Sequence, residues 1–79
     1  MHESVPRYAS GEDIRIADRI SLAGRPGRIA FVIDTRSFSA EYPEKEWSYL
    51  GRGFMIDAAG YGLVHLEAAD EDLVLVERA

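Results

Sequence analysis

The sequence predicts a mainly β domain with one short helix inserted between its strands. Three observations carry that expectation. Apolar and polar residues alternate in short runs, as half-buried strands do. Gly- and Pro-containing stretches punctuate those runs. Between residues 41 and 57 (EYPEKEWSYLGRGFMID) the pattern changes from helical spacing to strand spacing. A chain of 79 residues makes one domain, residues 1–79, around one core. It has no Cys, so disulfides and thiolate metal sites are excluded. Its longest apolar stretches are only four or five residues, too short for a membrane-spanning helix. With 47% hydrophobic and 29% charged residues it has a globular composition, not a disordered one. Residues 1–11 lack the apolar run of a signal peptide, and a cytoplasmic location is expected.

Residues 1–10 are polar and read as a loose arm that Tyr8 pins to the body. Ile14 and Ile16, then Ile20 and Leu22, alternate with polar residues and fit short strand pieces kinked near Ala17-Asp18. Gly24-Arg25-Pro26-Gly27 is a turn signal, since Pro and Gly supply the special backbone shapes of a reversal. Residues 28–34 (RIAFVID) follow as the strongest strand, rich in β-branched and aromatic residues. A polar loop leads to a helix over about residues 43–50. Pro43 fits its first turn, Glu44 and Glu46 suit its positive end, Trp47 and Leu50 share a face, and Gly51 and Gly53 stop it. Two turns of helix cannot stand alone in water, so Trp47 needs a receiving surface; it is read as a core lid, with a partner-binding anchor as the alternative. Residues 54–56 and 63–66 form a hairpin around Gly60-Tyr61-Gly62, and residues 73–76 form the last strand. This order looks like a small five-stranded SH3-like barrel with the helix plugging one end, a β-sandwich being the competing architecture.

No catalytic constellation accompanies these elements. His65 has no nucleophile motif beside it, and His65 with Glu67 supplies only two ligands, too few for a metal. Gly24 and Gly27 belong to a hairpin, not to a phosphate loop between strand and helix. The chain is therefore read as a non-enzyme without cofactor or metal. Charge is unevenly spread: residues 1–40 hold five acids and six bases, residues 41–79 nine acids and three bases, and the whole carries −5. Glu41, Tyr42, Glu44, Glu46 and Trp47 around the helix, with Asp70, Glu71 and Asp72 in a corner, are the candidate contacts for a basic protein partner. Arg19, Arg25 and Arg28, on the hairpin, are the alternative contacts, for nucleic acid, a partner that the overall acidity disfavours.

Residues 18–20 with 27–29 (DRI and GRI) resemble the KOW-type pattern of SH3-like domains associated with ribosomes and transcription. More of the chain is similar to a family of short bacterial stand-alone proteins, some of which accompany contact-dependent or rearrangement-hotspot toxins as immunity proteins. The phrases carrying that resemblance are YASG at 8–11, DRI, GRI, Phe38-Ser39 with Tyr42-Pro43, EWSYL at 46–50, GLVH at 62–65 and EDL at 71–73. Ala17 departs from it, standing where those proteins have Gly before the Asp. The resemblance implies an SH3-like barrel and a protein that neutralises a bacterial toxin by occluding its active cleft; the KOW pattern implies binding to RNA or the ribosome.

Overall fold

A computed structural model describes residues 6–69 and 71–78. Five strands, β1 (Arg19–Leu22), β2 (Arg25–Val32), β3 (Phe54–Ala58), β4 (Gly62–Leu66) and β5 (Leu73–Glu77), form one antiparallel sheet in the order β4-β3-β2-β1-β5. A single α-helical turn, α1 (Glu44–Trp47), runs into a 3₁₀ turn, Ser48–Leu50, within the β2–β3 connection. The mainly β architecture, five strands and short helix agree with the sequence. Closure of the sheet does not: β4 and β5 are its two edges, and no ladder joins them among the described residues.

The β1–β2 turn falls two residues earlier than the Gly24–Gly27 signal suggests. Leu22 pairs with Arg25, so Ala23 and Gly24 alone turn the chain. Both have positive φ, 52° and 85°, as the tight hairpin turn that matches strand twist requires. Pro26 and Gly27 are therefore strand residues. Pro26 is tolerated because hydrogen-bonded and non-bonded positions alternate along the ladder. Its missing N–H falls on the side away from Ser21, where its carbonyl accepts from the Ala59 N–H at 3.0 Å. The Ile14–Ile16 piece is not a strand. Ala17, at φ 71°, bends the chain just before β1, and residues 17 and 18 instead bracket Ile29 with two backbone bonds of 2.9 Å. Residues 6–10 of the expected arm are docked, with Tyr8 buried and its N–H donating to the Glu12 carbonyl at 2.9 Å.

Two apolar clusters lie on opposite faces of β2–β3. One gathers Ile20, Ile29, Val32, Phe54, Ile56 and Leu73 with Tyr8 and Ile14, and Val64, Leu66 and Leu75 pack against it, so all five strands line it. The other has Phe31, Ile33 and Met55 at its centre, covered by Ile16, Phe38, Tyr42, Trp47 and Leu50. A β-bulge separates them. Ile29 pairs with Ile56 and Phe31 with Met55, so the pair Ala30-Phe31 stands against one residue of β3. In a regular ladder without the bulge, period-two alternation would send Phe31 to the same face as Ile29. The helix consequently lies over the outer face of the sheet and does not plug a barrel end.

Candidate functional site

Phe31 organises the outer face. Its ring is fully buried, with Phe38 stacked at 5.2 Å, Trp47 at 5.4 Å and Tyr42 at 5.7 Å between centroids. Arg36, at φ 55°, closes the turn after β2 and returns Phe38 over Phe31. Residues 39–42 are then cinched by reciprocal backbone bonds between Ser39 and Tyr42 and by the Tyr42 N–H donating to Ser39 Oγ at 3.2 Å. Pro43, extended at φ −73° and ψ 148°, precedes α1, and Gly51 at φ 88° terminates the 3₁₀ turn. Trp47 meets Tyr42 edge-on at 6.0 Å and is half-buried: a lid, but on the outer cluster. Tyr49 stacks on Trp47 at 6.4 Å and is 75% exposed.

The acids of this lobe, Glu41, Glu44 and Glu46, are all exposed. Glu44 and Glu46 sit in the first turn of α1, where the helix dipole favours them. Burial first, then the charges of Glu41 and Asp57, raise the Tyr42 phenol above its ordinary pKa, so its hydroxyl stays neutral. Glu71 and Asp72 are exposed elsewhere: the Asp72 carbonyl accepts from the Ala23 N–H at the β1–β2 turn, at 2.8 Å. From Arg25, where β2 leaves that turn, Phe31 is six residues along the strand, about 20 Å. Seven of the expected partner-binding residues thus fall into two groups at opposite ends of β2; Asp70, the eighth, lies outside the described residues.

The arginines lie on two faces of the β1–β2 hairpin: Arg19 and Arg28 share one, and Arg25, in register with Leu22, falls on the other. Arg19 and Arg28 are cross-strand partners, both exposed, and Arg28 in turn faces Asp57 on β3. Arg19 pairs with Glu77 at 3.5 Å. Arg25 lies over the exposed Tyr61 ring at 4.5 Å, a cation–π contact that supplies an aromatic beside the basic hairpin. His65 Nε2 lies 2.9 Å from the Arg52 carbonyl, which accepts a hydrogen bond from it, and Glu67 pairs with Arg52 at 3.0 Å. Both side chains named as a possible two-ligand pair are therefore engaged with the residue 52 corner.

A groove beside the aromatic lobe was not legible in the sequence. It measures about 300 Å³ and runs between Ile16-Ala17, the bulge at Ala30 and the Ser39–Tyr42 turn, with Arg28, Glu41 and Asp57 at its rim. Two small residues make the hollow: positive-φ Ala17 and bulged Ala30. Also unanticipated is a buried carboxylate, Asp18, which is 1% exposed. It accepts from the Tyr8 hydroxyl at 2.7 Å, the Arg15 N–H at 3.0 Å and Arg78 Nη1 at 3.3 Å. Comparison with protein-family models, curated proteins and solved structures finds no match. Among the described residues no helix is long and apolar enough to cross a membrane.

Proposed function

We propose that the chain is a non-enzymatic protein-binding module whose α1 lobe meets a basic surface. Its specific form is an immunity protein that neutralises a bacterial toxin in the cytoplasm by occluding the active cleft. The carrying observation is Tyr49: a 75% exposed ring stacked on Trp47, with Glu41, Glu44 and Glu46 exposed on the same lobe. Solvent-facing aromatics on a rigid support are favoured interface anchors, and surrounding carboxylates steer a cationic partner. The toxin-directed form draws on the resemblance, carried by phrases between residues 8 and 73, to short bacterial stand-alone proteins of which some accompany such toxins as immunity proteins. The SH3-like reading of the fold is supported by the placement of β1 between β2 and β5 and by a core lined from all five strands.

Affinity capture with the intact chain, followed by a salt titration, tests the interface. The expected partner is basic. Tyr49→Ala should cost about 2 kcal/mol of binding, and Glu44→Lys should slow association at low salt. A neutral partner, or binding indifferent to salt and to both substitutions, rejects the reading. A second reading, a KOW-like RNA or ribosome binder, is favoured by the cross-strand Arg19 and Arg28 and by Arg25 over Tyr61. It requires that Arg25→Ala and Arg28→Ala weaken binding of a labelled single-stranded RNA; absence of measurable RNA binding by the unaltered protein ends it.

A further inference from the structure

We infer that the groove between Ile16-Ala17, Ala30 and Tyr42 is a receptor for one arginine side chain of the partner. This inference takes from the proposed function only that the partner is basic. The lining of the groove is largely apolar, with Ile16, Ala17, Ala30 and the Tyr42 ring, and suits an alkyl stem. Its rim bears the Glu41 and Asp57 carboxylates, which suit a cationic head. Arg28 shares that rim and faces Asp57 across the β2–β3 ladder. Two carboxylates against one guanidinium leave the local balance at one negative.

Size and rigidity point the same way. About 300 Å³ is at the lower end of ligand sites, which fits a single long side chain. The walls are set before any ligand arrives. Ala17 is tied by its N–H to the Ile29 carbonyl at 2.9 Å, and the Ser39–Tyr42 turn is closed by its own hydrogen bonds. A preformed site loses little entropy on binding. A guanidinium is preferred over an ammonium because it is weakly hydrated and stacks on an aromatic face, which Tyr42 supplies. Tyr42 also connects the groove to the exposed anchor, through Trp47 at 6.0 Å and Tyr49 at 6.4 Å from Trp47.

The probe is Nα-acetyl-arginine N-methylamide, titrated into the full chain at low salt and followed by amide chemical shifts. The norleucine analogue serves as the apolar control. Saturable shifts are expected at Ala17, Ala30 and Tyr42, stronger for arginine than for norleucine. Glu41 is exposed, so Glu41→Gln should leave the fold intact while weakening arginine binding about two- to fivefold, the range of a solvent-accessible ion pair. Shifts that do not saturate, equal binding of norleucine, or indifference to Glu41→Gln overturn the groove assignment. So does a basic partner whose capture depends on Glu44 and Tyr49 while the arginine probe fails to bind; that outcome rejects the groove and leaves the lobe interface standing.

Discussion

Asp18 takes its donors from three separated parts of the chain: Tyr8 before the first turn, the Arg15 backbone, and Arg78 after the last strand. A buried carboxylate persists only when its lone pairs are engaged, and here they are. Replacing it with Asn keeps the shape but removes charge-assisted bonds, each worth about 1.5–3 kcal/mol. Asp18→Asn should therefore lower the unfolding free energy by about 2–3 kcal/mol in urea titrations. The same cluster makes stability depend on alkaline pH. Burial first, then its bond to Asp18, push the Tyr8 phenol far above its ordinary pKa. A group raised in the folded state contributes fully while the unfolded phenol is also protonated. That contribution is lost as pH climbs past about 10, the usual tyrosine value. Urea midpoints measured from pH 8 to 11 should fall at the alkaline end, and Tyr8→Phe should flatten part of that fall. Tyr42, raised in the same direction, accounts for a remainder.

At the level of elements, left-handed backbone at residues other than glycine is found, among the described residues, at Ala17, Ala23 and Arg36. Ala23 occupies the left-handed region at φ 52° in the β1–β2 turn, a conformation that costs an L-residue other than Gly or Asn about 1–2 kcal/mol. Ala23→Asn, which that turn type prefers, is expected to stabilise the protein by about 0.5–1 kcal/mol, read from the thermal or urea midpoint. Gly53 is the opposite case. It has φ 97°, and a Cβ there would collide with the Leu66 carbonyl and come within 2.9 Å of the Glu67 Cα. Gly53→Ala should therefore cost more than about 1 kcal/mol, with loss of the β3–β4 register visible in amide exchange. The bulge matters in the same way: pairing Ala30 and Phe31 together against one residue of β3 decides that Phe31 joins Trp47 and not the inner cluster. It also hollows the groove.

For the whole molecule, an open sheet and a net charge of −5 oppose one another. β5 is an edge carrying Val74 and Val76, 52% and 62% exposed, and an apolar edge is a template for pairing with another chain. Mutual repulsion between acidic copies restrains that pairing. Self-association should accordingly be greatest near pH 4.9, where the charge vanishes. Val76→Lys should suppress it while shifting stability by no more than about 0.5 kcal/mol, as exposed substitutions do. Light scattering across pH 4 to 8 checks both. The same asymmetry of charge drives the proposed encounter with a basic partner, led by Tyr49.

Residue pattern alone determined the mainly β class, the five strands, the short helix and its Gly51 stop, because alternation and turn chemistry act between neighbours in the chain. Trp47 was legible as a lid for the same reason: a lone two-turn helix must bury its apolar face. Tertiary structure alone decided which surface that lid covers, that the sheet stays open, and that Glu41–Glu46 and Asp72 stand apart. It also brought together Tyr8, Asp18 and Arg78, and made a groove from Ala17 and Ala30. These depend on a bulge, on left-handed alanines and on contacts between residues up to 60 positions apart. Such features leave no mark on local periodicity, since an alanine reads alike in a regular strand, a bulge or a strained turn.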